Sequence, residues 1–85
     1  MRHLTPADLK QILDECAGED EEVVLDEPAL DTPFSDLGYD SLALLEAAAA
    51  AGRRFGVRLT DDAVSAVGTP REFLSLVNDA IVTAA

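Results

Sequence analysis

One serine is the most distinctive chemical handle in this chain of 85 residues. Ser41 stands in the run Leu37-Gly38-Tyr39-Asp40-Ser41-Leu42, at the first turn of the longest helical pattern. Asp40 is placed to cap that helix, because its carboxylate can accept a free N–H of the first turn. The serine after it should face solvent, with a hydroxyl that no core requires. To act as a nucleophile by itself, Ser41 would need a general base oriented by a third group. The single histidine, His3, precedes the first helix, and no glycine pair flanks the serine as in a nucleophile elbow. A small helical bundle also offers no obvious oxyanion hole. Hydrolase chemistry is therefore disfavoured. A serine modified by another enzyme fits better: its hydroxyl becomes a phosphodiester that carries a flexible arm, at a helix N-terminus whose free N–H groups and dipole favour phosphate. An ordinary exposed serine beside an N-cap is the bland alternative.

The elements that must position Ser41 can be read from caps and periodicity. Thr5 and Pro6 read as N-cap and N1, with Asp8 at N3 completing a capping box. Leu9, Ile12, Leu13 and Cys16 then repeat at helical spacing, which predicts a first helix over about residues 5–17, ended by Gly18. Residues 18–40 form a long connection. Glu19-Asp20-Glu21-Glu22 should stay at the surface. Val23, Val24 and Leu25 have no second strand to pair with and should pack against helices. Leu30, Phe34 and Leu37 should anchor the connection, since a structureless stretch this long would be unusual; anchoring, or a short turn of helix near residues 34–37, meets that objection. The second helix should cover residues 41–55, burying Leu44, Ala47, Ala48, Ala51 and Phe55, and ending at Gly56. Leu42, Leu45 and Ala49 lie on another stripe, which suggests a small apolar contact surface beside Ser41. A one-position rotation of the helix would bury one of those leucines. Thr60, followed by Asp61 and Asp62, starts a short third helix over 61–66, stopped by Gly68. Thr69-Pro70-Arg71-Glu72 repeats the strong start signal for a fourth helix over 70–83, with Phe73, Leu76, Val77, Ala80 and Ile81 inward. The expected fold is all-α: a small four-helix bundle with three main helices, one short helix and a long first loop, in one domain over 1–85.

Charge narrows the function. The formal net charge is -11, from 17 acidic and 6 basic side chains. Residues 1–46 hold 13 acids and two bases, whereas residues 47–85 hold four of each. Such a balance argues against a nucleic-acid surface and favours steered encounter with basic protein partners, or simply solubility. One cysteine, Cys16, forms no internal disulfide and should be a half-buried thiol. A lone histidine and a lone cysteine exclude a zinc cluster, and no glycine-rich phosphate loop is present. No apolar run has membrane length, so a cytoplasmic protein that acts as a monomer away from membranes is expected.

The segment Leu37-Gly38-Tyr39-Asp40-Ser41-Leu42 resembles the phosphopantetheine attachment motif of acyl carrier proteins. The helix order, long first loop, short third helix and acidic front are similar to that family across almost the whole chain. Gly38-Tyr39-Asp40-Ser41-Leu42-Ala43-Leu44-Leu45-Glu46, Thr69-Pro70-Arg71-Glu72 and Asn78 look most like the carriers of type II, aromatic polyketide synthases. The resemblance implies 4'-phosphopantetheine on Ser41, transferred from coenzyme A by a magnesium-dependent phosphopantetheinyl transferase. Asp40 then corresponds to the acid that helps place magnesium in that encounter, and the chain has no intrinsic metal. Malonyl and growing polyketide chains would ride as thioesters on the arm. The chain would be a shuttle rather than an enzyme. Its partners would be the acyl-loading enzyme, the ketosynthase with its chain-length partner, and a ketoreductase and cyclases where present. Leu42 and Leu45 would make apolar partner contacts, while Asp36, Asp40 and Glu46 would face basic partner residues. Arg71 and Asn78, seven apart on one helix, would face the carbonyl-rich cargo. For Glu46, ordinary helix solvation is the alternative. For Arg71 and Asn78 it is a capping-turn arginine and an exposed asparagine.

Three other carriers and one different class remain. A fatty-acid synthesis carrier shares the serine and acidic face but commonly has an acid soon after Ser-Leu, where this chain has Ala43. Peptidyl and D-alanyl carriers match fewer details. A non-modified helical interaction module would use the acidic front and Leu42–Leu45 with no covalent group.

Overall fold

The structure, a computed structural model, describes residues 3–17 and 25–84. Among these, all regular structure is helical: α1 (Pro6–Ala17), α2 (Glu27–Leu30), α3 (Ser41–Phe55), α4 (Asp61–Ser65) and α5 (Pro70–Ala84). The stop at Gly18, the acids 19–22 and the packing of Val23 and Val24 lie outside the described residues.

Each start signal works as side-chain chemistry requires. Thr5 Oγ1 accepts the Asp8 N–H, and Asp8 accepts the Thr5 N–H, both at 3.1 Å. The Thr5 N–H, and after it the Thr5 hydroxyl, hold the Asp8 carboxyl below its usual range. Thr60 Oγ1 accepts the Ala63 N–H at 3.2 Å at the head of α4. At α5, Thr69 caps Glu72, while Glu72 accepts from the Thr69 hydroxyl and the Gly68 N–H. α3 ends at Gly56 in the left-handed conformation, φ 69°, where a side chain would be strained.

The core gathers Leu9, Ile12 and Leu13 from α1, Leu44, Ala47, Ala48 and Ala51 from α3, Val64 from α4, and Phe73 and Val77 from α5. α1 packs on α3, whose alanines permit close approach, and α5 touches the other four helices. Phe55 is half-buried at the margin, as are Leu76, Ala80 and Ile81.

Of the two forms expected for the long connection, the structure has the anchored one. Its helical segment is α2, at 27–30, rather than at 34–37, which instead forms a series of hydrogen-bonded turns. Asp26 caps α2 by accepting the Ala29 N–H at 3.1 Å, and proline occupies its first turn. Leu30 and Phe34 are buried anchors, and Leu37 is half-buried. Phe34 packs edge-on against both Tyr39 and Phe73, with ring centres 6.2 and 6.1 Å away. Leu4 is also buried, although it precedes α1.

Candidate functional site

Local backbone geometry sets Ser41 in place. Gly38 has φ 92°, a conformation L side chains rarely adopt, and lets the chain turn sharply before α3. Tyr39 follows and is buried. Asp40 then caps α3, its Oδ1 accepting the Ala43 N–H at 2.8 Å. Ser41 is the first helical residue and is exposed. Its position at the positive end of a 15-residue helix suits a phosphodiester, since the first-turn N–H groups have no intrahelical acceptor.

Two concavities flank Ser41. On one side, an open groove of about 300 Å³ runs between α3, the turns before it, and α4 with the segment that follows. Ser41, Leu44 and Leu45 form one wall, Phe34 and Tyr39 another, and Val64, Val67 and Gly68 the third. Its apolar lining and a rim of Ser35, Ser65 and Asp40 suit an extended chain with a few polar groups. On the other side, Cys16 of α1 shares a shallower notch with Gly38, Asp40, Leu42, Ala43 and Glu46. Burial, then the charges of Glu46 and Glu15, raise the Cys16 thiol pKa.

The other expected site residues fall in different places. Asp36, Asp40, Leu42 and Glu46 are all exposed. Leu42 is 62% exposed, which is unusual for a leucine on a helix whose other face is core. Leu45 corrects the expectation of two open leucines: it is half-buried, packs against the core and lines the groove. Arg71 and Asn78 do not line that groove. Arg71 is held by Asp31 and Glu27 at the edge of α2. Asn78 is turned to Leu4, accepting its N–H at 2.6 Å and donating to its carbonyl at 3.1 Å. An exposed polar face shared by Arg71 and Asn78 is therefore absent, because the two groups make separate intramolecular bonds. Tyr39, Val64 and Val67 were not singled out from sequence as groove residues. The tyrosine beside Gly38 was the available signal for Tyr39. No helix among the described residues is long and apolar enough to cross a membrane.

Comparisons with known proteins agree with this arrangement. The family described as "Phosphopantetheine attachment site" matches residues 7–77. The chain is 50% identical over 82 residues to the actinorhodin polyketide synthase acyl carrier protein of Streptomyces coelicolor, spanning 96% of this chain and 95% of that one. It is 48% identical over 85 residues to the granaticin polyketide synthase acyl carrier protein of Streptomyces violaceoruber, spanning 100% of both. Among solved structures, the solution structure of the 3,5-dioxohexyl carrier (a triketide mimic) from the actinorhodin polyketide synthase of Streptomyces coelicolor superimposes with a TM-score of 0.88 at 48% identity, covering 99% of this chain and 98% of that one. Identity at this level along the full length, on the same helical frame, means that the chain belongs to the phosphopantetheine-attachment family, among its acyl carrier proteins.

Proposed function

We propose that this chain is a single carrier domain that holds malonyl and growing polyketide intermediates on a 4'-phosphopantetheine arm at Ser41 during aromatic polyketide biosynthesis. The observation that carries the reading is an exposed serine at the first position of α3, next to a groove sized for a short chain. When attached, the arm supplies a terminal thiol that bears acyl groups as thioesters. The protein's own residues position and shelter. Asp40 fixes the start of α3, and its carboxylate would assist magnesium in the transferase encounter. Leu44, Leu45, Tyr39, Val64 and Val67 offer apolar surface that draws a tethered chain out of water.

The chain itself performs no catalysis in this reading, and partner enzymes act on its cargo. A phosphopantetheinyl transferase, an acyl-loading enzyme, and the ketosynthase with its chain-length partner would meet the exposed Leu42 and the acids Asp36, Asp40 and Glu46. A ketoreductase and cyclases would follow where the product requires them. Exposed charge pairs add little affinity individually but raise encounter rates and fix orientation, which suits a carrier that must leave each enzyme. Arg71 and Asn78 reach cargo in this reading only by exchanging the partners they hold.

Intact mass after incubation with coenzyme A, magnesium and a broad-specificity transferase tests the proposal. Wild type should gain roughly 340 Da and Ser41→Ala nothing. No gain in folded wild type, with a known carrier modified in parallel, would favour a non-covalent interaction module.

A further inference from the structure

Phe34 and Gly68 both line the groove beside Ser41. These two residues are joined by a hydrogen bond from the Phe34 N–H to the Gly68 carbonyl at 2.9 Å. A few residues beyond each of them, Asp31 and Arg71 make a second tie. Arg71 Nε donates to Asp31 Oδ1 at 2.7 Å, and its Nη2 donates to Glu27 Oε2 at 2.8 Å and to Asp31 Oδ2 at 3.4 Å. The guanidinium sits in the first turn of α5, while the carboxylates belong to α2 and its C-cap. A four-residue helix has no stability of its own, so tertiary contacts must hold it. Besides the burial of Ala29 and Leu30, this forked ion pair is what fastens α2 to α5.

We propose that Asp31 and Glu27, acting through Arg71, set how long a chain the groove accepts, by holding its lining residues Phe34 and Gly68 together. The inference rests on the reading that the groove receives a chain tethered at Ser41. A space of about 300 Å³ holds roughly ten heavy atoms at ~30 Å³ each. A longer chain needs Phe34 and Gly68 to part, and they cannot separate while Asp31 and Arg71 stay joined. The tie lies outside the groove's lining and yields more readily than the core does. Its charges are exposed, whereas Phe34 is anchored in the core. Asp31 and Glu27 are thus positioning residues, setting cargo length without touching Ser41.

Hydrogen–deuterium exchange of the Phe34 amide in the unloaded protein tests the tie directly, comparing wild type with Glu27→Gln/Asp31→Asn. The double variant should exchange Phe34 at least about threefold faster and leave Val77, in the core, unchanged. Arg71→Lys keeps the charge but loses the fork, and should move Phe34 in the same direction. It also supplies the comparison if the double variant unfolds. The same proteins, loaded at Ser41 with straight-chain acyl thioesters of increasing length, are then timed against hydroxylamine. Wild type should protect short chains and lose protection beyond a given length, and the double variant should shift that limit to longer chains. Unchanged Phe34 exchange would overturn the tie whether or not Ser41 is loaded. Faster exchange with an unmoved limit would overturn the control of length. Absence of protection at every length in wild type, with the expected exchange, would instead overturn the reading of the groove as a cargo site, and the length control with it.

Discussion

One side-chain amide of Asn78 closes both backbone groups of Leu4, accepting from its N–H and donating to its carbonyl, across a sequence separation of 74 residues. The pair works like one rung of a sheet inside a helical protein. It fixes the segment before α1 so that Leu4 can enter the core.

Asn78→Ala should therefore destabilise the fold by about 2 kcal/mol, because two half-buried backbone groups lose their partners. Asn78→Asp should also destabilise it, since a carboxylate keeps the acceptor but faces the Leu4 carbonyl with no donor. Urea unfolding measures both. Wild-type stability in either variant would show that water replaces the clamp without cost.

Asp40 has two separable duties. Asp40→Asn keeps a good cap for α3 and should leave stability within about 0.5 kcal/mol, whereas Asp40→Ala should cost ~1 kcal/mol. Both should slow attachment at Ser41, because both remove the charge proposed to assist magnesium. Transferase rates for Asp40→Asn equal to wild type would confine Asp40 to capping.

Leu42 and Leu45 should part company. Leu42→Ala should change stability by less than about 0.5 kcal/mol, since the side chain is largely exposed, while reducing transfer by partner enzymes. Leu45→Ala should cost ~1–2 kcal/mol and weaken protection of a bound chain, because Leu45 is half-buried in the groove wall. Thermal unfolding and thioester hydrolysis, run together, distinguish the two patterns.

A methyl group on Gly52 would lie 2.8 Å from the Val57 carbonyl oxygen, closer than side chains tolerate. Gly52→Ala must push the chain that leaves α3 and should cost about 1–3 kcal/mol despite the better helix propensity of alanine. A gain in stability would mean that the Val57 peptide moves freely.

Asp8 and Cys16 should give pH effects of opposite sign. The Asp8 carboxyl is depressed below its usual 3.8, so its contribution is present above that pH and fades as pH falls through the folded value. Asp8→Asn should flatten that part of the acid unfolding curve. The Cys16 thiol is raised above 9.0, so its contribution is intact below pH 9.0 and fades as pH climbs past it toward the folded value. Alkylation of Cys16 at about pH 8 should accordingly be slower than that of a free thiol.

Most of the frame could be read from local chemistry. Thr5 with Asp8, Asp40, Thr60, and Thr69 with Glu72 each cap the helix that their spacing announced, because a cap needs only residues three apart. What could not be read depends on distant partners. α2 carries a proper signal in Asp26-Glu27-Pro28, but four residues become helical only when Leu30 and the Arg71 fork hold them. Asn78 looked like a surface residue until Leu4 met it. Leu45 sat on the boundary of two stripes, and the position of Val64 and Val67 across the groove decided its side. The serine and its cap were legible, whereas the groove walls were contributed by three separate segments.

The two concavities beside Ser41 share Asp40 and otherwise have no lining residue in common. An enzyme that gripped the Leu42–Glu46 side, as proposed, would leave most of the groove's lining uncovered. In the proposed reading, grasping the vehicle and unloading its freight would then compete only at Asp40, the one residue both sides share.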